Sequence, residues 1–410
     1  MVYDVNEVQI KIVEGGNVDS PQGFTANGIH CGIRKKKRDL GLLFTEVPSV
    51  CAAVYTTNHF QAAPLKVTQE SLEASLTHKA LIVNSGNANA FTGEQGFKDA
   101  YAMRAAVAEQ LLISPDEVLV ASTGVIGEKM PMNPILSGIT EITQLLQLSD
   151  GDAFAEAILT TDTVKKSVAV EIEIEGKKVI IGGTAKGSGM IHPNMATMLA
   201  FVTTDANIER NALQSLLRQV TDQTYNMITV DGDTSTNDMV LVMANGLAGH
   251  TLLDEKHPEW PVFHHAFRYV SEELAKMIAR DGEGATKLVT VTVEGAETQE
   301  MARTIAKEIV GSNLVKTAVY GADGNWGRVV MAIGNSGYPI NENQLDIAIG
   351  PTTVVKEGQK TDYEEEKVTQ SLQEKDVYIH VQLYLGKESA TAWGCDLTYD
   401  YVKINASYRT

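Results

Sequence analysis

The feature that most constrains the fold lies near the middle of the chain, where a loop of glycine, proline and polar residues meets an apolar run. The sequence KGSGMIHPNMATMLAF at residues 186–201 starts with residues typical of a tight loop, and residues 197–203 have the composition of a buried strand. Thr197 lies at the junction, directly after the small residue Ala196. This arrangement would suit a threonine that is freed to become a chain terminus. An ordinary buried strand threonine is the alternative.

Periodicity in the flanking segments predicts a layered fold. Apolar residues alternate with polar ones in the clearest strand, 168–174, and a turn at Gly176 makes it half of a hairpin with residues 178–183. Helices are expected at 100–112, 135–148, 153–159, 207–220, 262–280 and 298–310. Other strands are expected at 8–13, 50–56, 80–83, 117–121, 197–203, 239–243, 287–293, 314–319, 345–349, 377–385 and 397–404. The mixed order predicts an α/β, or layered α+β, fold in which helices sandwich mixed sheets.

Composition narrows the class of protein. The 52 acidic residues outnumber the 34 basic ones, and the net charge of −18 disfavours nucleic acid and anionic membranes as partners. No apolar run reaches the roughly 18 residues of a membrane span, and the first residues do not resemble a signal peptide. We therefore expect a cytoplasmic protein. The single basic run, residues 34–38, is interpreted as a solvated turn, and Cys31, Cys51 and Cys395 as reduced, buried residues.

Cofactor and metal motifs are weak. Lysine precedes glycine in the run 186–189, the reverse of a phosphate-binding loop, and no dinucleotide fingerprint opens a helix. The carboxylate-rich run 231–238 could hold a cation, but it lacks the spacing of a calcium loop, and a polar turn is the favoured interpretation. The histidines show no metal-ligand spacing. We expect no cofactor and no metal.

A nucleophilic Thr197 requires two kinds of help. Its hydroxyl needs a base, which its own α-amino group could be once the Ala196–Thr197 bond is cut. The reaction also needs donors for an oxyanion, and the loop after strand 117–121 could present the Thr123 hydroxyl and the Gly124 N–H to one point. His192 is a second candidate base, although the proline that follows favours a loop-shaping role.

The run 186–201 strongly resembles the signature of the ornithine acetyltransferase family, also called the arginine-biosynthesis bifunctional protein family. The family core is matched without a gap, and its other blocks are matched in order along nearly the whole chain. These blocks are NSGNANA at 84–90, STGVIG at 122–127, TTDT at 160–163, DGDTSTND at 231–238, DGEGATK at 281–287, GNWGR at 324–328 and NASYRT at 405–410.

The resemblance implies a scaffold like that of the N-terminal-nucleophile aminopeptidases. It implies self-cleavage between Ala196 and Thr197 into an α chain, 1–196, and a β chain, 197–410, that stay together, with two copies of each in the assembly. Thr197 would be the acetyl-accepting nucleophile, and Thr123 and Gly124 the oxyanion hole. The substrate-binding residues would be Thr160, Lys186, Thr197, Glu283, Asn405 and Thr410.

The expected reaction is a ping-pong transfer of acetyl from N-acetylornithine to glutamate through an acetyl-Thr197 ester. Bifunctional members also use acetyl-CoA as donor, and we expect the same here, with a monofunctional enzyme as the alternative. Lys186 can pair with an α-carboxylate, and Glu283 with the ammonium of ornithine. Two other hypotheses remain open: an amidase or aminopeptidase in which water attacks the ester, and a metabolite-binding protein in which Thr197 is only structural.

Overall fold

The computed structural model describes residues 9–192 and 198–407. Its strands are β1 Lys11–Ile12, β2 Phe24–Ile29, β3 Leu40–Tyr55, β4 His78–Asn84, β5 Val118–Ser122, β6 Lys166–Ile174, β7 Lys177–Lys186, β8 Leu199–Thr204, β9 Ile228–Thr229, β10 Met239–Ala244, β11 Leu288–Ala296, β12 Asp346–Ile349, β13 Thr352–Lys356, β14 Gln359–Lys360, β15 Asp376–Gln382 and β16 Glu388–Cys395. Its helices are α1 Ala63–Ala74, α2 Gly93–Leu111, α3 Met132–Leu145, α4 Gly151–Ala157, α5 Arg210–Gln223, α6 Trp260–Arg280, α7 Gln299–Gly311, α8 Asn313–Gly321, α9 Gly327–Asn335, α10 Glu365–Gln373 and α11 Tyr399–Ser407.

The first sheet carries the ends of the strands that surround the central loop. Its order is β1-β6-β7-β8-β10-β3-β4-β5, with β2 paired to β3. Strand β8 lies between β7, which is antiparallel to it, and β10, which is parallel. In this register Leu199 is opposite both Lys186, the last residue of β7, and Met239, the first residue of β10. The three strands therefore converge at one edge of the sheet.

A second sheet, in the order β14-β13-β12-β15-β11-β16-β9, is built from the later part of the chain. Helix α6 contacts β6 and β7 of the first sheet and β11 and β16 of the second, so it packs between the two sheets. Helix α7 packs on β11 and β16. The apolar face of α6, which includes Phe263, Phe267, Val270 and Leu274, is buried in a core shared with strands of both sheets. The fold is a layered α/β arrangement of mixed sheets and helices, as predicted from the sequence.

Two predicted strands are wrong. Residues 314–319 belong to α8, where the Ser312 hydroxyl caps the helix by accepting a hydrogen bond from the Val315 N–H. Residues 397–404 mostly belong to α11, whose start is set by a turn in which the Thr398 hydroxyl accepts from the Asp400 N–H. Both segments are apolar and short, so their composition did not distinguish a strand from a helix, and the capping hydroxyl was the signal that was missed.

Smaller corrections concern the N-terminal half. Strand β3 is far longer than the predicted 50–56, and α1 was not predicted. The basic run 34–38 is not simply a solvated turn, because the Arg34 guanidinium donates to the carbonyls of Leu159 and Thr160 at 2.6 and 3.1 Å. All three cysteines are free, but Cys31 is partly exposed whereas the other two are buried as expected. No helix in the described ranges is long and apolar enough to cross a membrane.

Candidate active site

A pocket of about 150 Å³ lies where the strands of the first sheet converge. It collects the sequence-predicted site residues that fall within the described ranges: Thr123, Gly124, Thr160, Lys186, Glu283 and Asn405. Ala196, Thr197 and Thr410 lie outside the described residues. Met190 and Met198, on either side of the undescribed segment 193–197, both line the pocket. The pocket therefore borders the segment that contains the expected nucleophile.

The loop after β5 is held tightly by an asparagine. The Thr123 N–H donates to the Asn84 carbonyl at 3.0 Å, and the Ser122 hydroxyl donates to the Asn84 side chain at 2.6 Å. Gly124 has a φ of +134°, and a Cβ there would lie 2.3 Å from the Gly86 carbonyl carbon, so only glycine fits. The Gly124 N–H donates no hydrogen bond to a described residue. Two donors, this N–H and the Thr123 hydroxyl, are thus available at the pocket.

Lys186 is a buried cation at the floor of this pocket. Its Nζ lies 3.4 Å from Thr123 Oγ1, and it forms no salt bridge with a carboxylate of the described residues. Burial lowers the pKa of the Lys186 ammonium, and the negative charge of Asp162 opposes that change. An ammonium held in this way gains most from an anionic ligand, since a carboxylate would supply the partner that the fold does not.

A buried ion network next to Lys186 was not predicted. Lys166 Nζ lies 2.7 Å from Asp162 Oδ1 and 2.6 Å from Asp281 Oδ2. The same Asp162 carboxylate accepts from the N–H groups of Thr160 and Gly187 at 2.9 and 2.6 Å. Burial alone would raise the pKa of Asp162, but the ammonium groups of Lys186 and Lys166 outweigh it and hold that pKa well below its usual range. The network fixes the loop of Thr160 to the end of β7.

Glu283, which also lines the pocket, is held by the C-terminal helix. The Asn405 side chain donates to Glu283 Oε2 at 2.7 Å. The Glu283 N–H donates to the Ser188 carbonyl at 3.0 Å. A Cβ at Gly189 would lie within 2.4 Å of the Glu283 carboxylate, so glycine at this position makes room for it. The family block 186–189 therefore carries Lys186 at one end and supports Glu283 at the other.

The run 231–238 forms a polar turn, as favoured from the sequence. The Asp231 carboxylate accepts from the N–H groups of Met190 and Ile191 at 2.7 and 2.8 Å, and from Asp233 at 3.3 Å. Its oxygens are thus used by backbone donors, and residues 9–192 and 198–407 contain no group of three potential metal ligands. This turn anchors the central loop directly before the undescribed segment.

His192 is bound into the same loop and does not line the pocket. Its Nδ1 lies 3.0 Å from Thr229 Oγ1, and its carbonyl accepts from the Thr234 hydroxyl at 2.9 Å. Burial, with the nearby Lys307 ammonium, lowers the pKa of the imidazole to about 4. The contacts suit the loop-shaping role better than the role of general base.

A buried ammonium at the end of β7, beside two hydrogen-bond donors, has the chemistry to bind a carboxylate and to stabilise an oxyanion, which is what acyl transfer requires. The model of the ArgJ family matches residues 25–410. The arginine biosynthesis bifunctional protein ArgJ of Oceanobacillus iheyensis is 57% identical over 402 residues, 98% of each chain. Its Bacillus subtilis counterpart is 57% identical over 409 residues, 100% of each chain.

A crystal structure of the arginine biosynthesis bifunctional protein argJ from Bacillus halodurans is also similar. It is 56% identical with a TM-score of 0.51, and the match covers 52% of this chain and 100% of that chain. The chain belongs to the ArgJ family. It is a bifunctional acetyltransferase of arginine biosynthesis, and the predicted family is confirmed.

Proposed function

We propose that the chain transfers acetyl from N-acetylornithine to glutamate through an ester on Thr197. The observation that carries the proposal is the position of Lys186. Its buried ammonium lacks a described carboxylate partner and lies 3.4 Å from Thr123 Oγ1, next to the free N–H of Gly124. A substrate carboxylate bound to Lys186 would bring an acyl group on the same molecule close to the two oxyanion donors.

Two charged side chains of opposite sign bind the two charged ends of the substrate in this proposal. Lys186 pairs with the α-carboxylate, and Glu283, 8% exposed and oriented by Asn405, pairs with the side-chain ammonium of ornithine. Thr160 also lines the pocket. Thr410 follows α11 and completes the substrate contacts in this proposal. A cation and an anion in one pocket favour a ligand that carries both a carboxylate and a side-chain ammonium, as ornithine does.

The transfer proceeds in two balanced steps. Thr197 Oγ attacks the acetyl carbon of N-acetylornithine while its proton passes to the Thr197 α-amine, whose ordinary pKa of about 7.7 to 8.0 leaves a neutral fraction near pH 7. The oxyanion is stabilised by Thr123 and Gly124, the C–N bond breaks, and ornithine leaves with the proton. The amino group of glutamate then attacks the ester, which releases N-acetylglutamate and restores the Thr197 hydroxyl.

Self-cleavage at Ala196–Thr197 creates the nucleophile. The halves 1–196 and 197–410 remain together because β8 and β10 of the second half lie between β7 and β3 of the first half in one sheet. The Bacillus halodurans chain supports this division, since it is matched over its whole length and yet covers only 52% of this chain. We propose two copies of each half in a cytoplasmic assembly, with acetyl-CoA as a second donor for glutamate.

The test compares Thr197→Ala and Thr197→Ser with the wild-type protein. Thr197→Ala should give one band near 44 kDa on a denaturing gel and no acetyl transfer, whereas the wild type should give two bands of about half that mass. Thr197→Ser keeps a hydroxyl and should still cleave. Mass spectrometry of wild type with N-acetylornithine alone should show one acetyl group on the second fragment.

The acceptor is tested by omitting glutamate. Ornithine release that needs glutamate, with N-acetylglutamate as product, supports acetyl transfer, and an acetyl-CoA plus glutamate assay tests the second donor. Equal ornithine release without glutamate would indicate an amidase. Turnover by Thr197→Ala would place the nucleophile elsewhere, and an uncut active wild-type chain would contradict the cleavage step.

A further inference from the structure

Asp238 is a buried carboxyl group in the pocket that the proposed reaction does not use. It precedes β10 and is 3% exposed, and it lines the same pocket as Lys186, Thr123 and Glu283. Its Oδ2 atom is buried and has no hydrogen bond partner among the described residues. Buried polar atoms in folded proteins are nearly always paired, so an unpaired oxygen on a residue that lines the pocket is a candidate partner for a ligand group.

The backbone holds Asp238 rigidly against the proposed oxyanion loop. Its carbonyl accepts from the Thr56 N–H at 3.0 Å. The adjacent Asn237 side chain donates to the carbonyl of Ser122, the last residue of β5, at 2.9 Å. The segment that carries Asp238 is therefore tied to the end of β5, directly before Thr123. The carboxyl position is set by the same framework as the oxyanion donors.

Charge decides what kind of ligand atom this oxygen meets. Lys186 interacts electrostatically with Asp238, but no salt bridge joins the two described side chains. Burial raises the pKa of the Asp238 carboxyl well above its usual value, and the Ser235 hydroxyl, the Lys186 ammonium and the Thr56 hydroxyl only reduce that effect. A carboxyl group whose pKa is raised keeps its proton to higher pH than an ordinary aspartate, and in that protonated form it has one O–H to donate.

We propose that Asp238 is a further substrate-binding residue, whose Oδ2 donates a hydrogen bond to the α-carboxylate of the amino acid that Lys186 holds. This inference rests on the proposed function. A carboxylic acid facing a carboxylate forms a short, charge-assisted hydrogen bond, whereas an ionised Asp238 would repel the same ligand. Lys186 and Asp238 together would then recognise the α-carboxylate that donor and acceptor substrates share.

Two variants test whether Asp238 acts as a hydrogen-bond donor or as a negative charge. Asp238→Asn keeps a donor of the same shape, so ornithine affinity and kcat/KM for N-acetylornithine should stay within about threefold of wild type. Asp238→Leu removes the donor and should weaken ornithine binding by roughly 10- to 100-fold, the usual loss for one hydrogen bond to a charged group. Binding is measured by calorimetry on the processed enzyme.

Asp205→Asn is the matched control, because Asp205 is also buried but lies outside the pocket and accepts from the N–H groups of Ile180 and Gln22 at 2.8 and 3.1 Å. It should lower stability without changing ornithine affinity. Wild-type affinity in both Asp238 variants would overturn the proposal. Equal losses in Asp238→Asn and Asp238→Leu would also overturn it, since they would assign the ionised form.

Binding and turnover are measured separately, so failure of the acetyl-transfer proposal is visible in the wild type alone. If neither Asp238 variant folds, wild-type protein with ¹³C-labelled aspartate decides the question. One carboxyl resonance should keep its protonated position at neutral pH and shift when ornithine is added. The absence of such a resonance would overturn the proposal.

Discussion

Lys166 and Lys186 are two buried lysines on neighbouring strands with opposite surroundings. Lys166 begins β6 and is paired in register with Ala185, the residue before Lys186 at the end of β7. The Lys166 ammonium lies 2.7 and 2.6 Å from two carboxylates. The Lys186 ammonium has as its described hydrogen bond partner a single hydroxyl, at 3.4 Å. The first lysine is satisfied by the fold, and the second is available to a ligand.

The comparison distinguishes a lysine whose charge stabilises the fold, Lys166, from one whose charge is available to a ligand, Lys186. A buried ion pair does not itself guarantee stability, but removal of one partner leaves the other charge buried and unpaired. The Lys166 network joins residues 162 and 281, 119 positions apart, and so fixes both loops beside the pocket. Lys186 takes its electrostatic support from this framework, chiefly from Asp162, and stays free for a substrate. We therefore expect substitution of Lys166 to lower mainly stability, and substitution of Lys186 to lower mainly activity.

The largest effect on stability is expected for Lys166→Met. Asp162 and Asp281 would be left buried without their cation, and loss of one partner of a buried pair costs about 3 to 5 kcal/mol. Urea unfolding in the uncleaved Thr197→Ala background measures this without dissociation of the two halves. The triple variant that adds Asp162→Asn and Asp281→Asn should recover part of the loss. A cost below about 1 kcal/mol would contradict the role of the network.

Lys186→Met should have a small effect on stability and a large effect on activity. Its free energy of unfolding should fall far less than that of Lys166→Met, because no described salt bridge is broken. The kcat/KM for N-acetylornithine should fall by roughly 10² to 10³, the cost of leaving a bound carboxylate without its partner. The amide of N-acetylornithine is the matched probe: if Lys186 binds the α-carboxylate, the variant and the amide should not have additive effects. Additive losses would place the carboxylate elsewhere.

The contrast also shows how far the sequence could lead. Alternation predicted β6, and the family blocks pointed to Thr123, Gly124, Lys186, Glu283 and Asn405, which the structure brings into one pocket. The network of Lys166 could not be found in this way. From the sequence, a lysine at the end of a strand is expected to be exposed to solvent. Periodicity predicts which face of a strand a residue occupies, but not which distant loop covers that face.

Asp238 was hidden for a similar reason. It is the last of four carboxylates or amides in the run 231–238, and the sequence did not distinguish it from Asp231. In the structure, Asp231 accepts from backbone N–H groups, whereas Asp238 lines the pocket and has one oxygen without a described hydrogen bond partner. The difference depends on tertiary neighbours, namely the central loop and β3. Composition alone supports only the polar-turn interpretation that both share.

The smallest expected effect concerns His192, a third basic residue, whose pKa is lowered by burial. Its pKa is about 4 in the folded protein, against about 6.5 in an unfolded chain. Above pH 6.5 the imidazole is neutral in both states, and its contribution to stability is constant. As the pH falls from 6.5 towards 4, the unfolded chain binds a proton that the folded protein does not, so stability decreases.

His192→Asn should flatten this part of the profile, since an amide can keep the hydrogen bond to Thr229 without titrating. The informative window is pH 6.5 to 5, above the range where ordinary carboxylates bind protons. The measurement is the slope of the unfolding free energy against pH in the Thr197→Ala background, with His265→Asn, whose pKa is also lowered by burial, as a second titrating site for comparison. Equal slopes in wild type and His192→Asn would show that the imidazole has the same pKa in the folded and the unfolded protein, and would restore it as a candidate base.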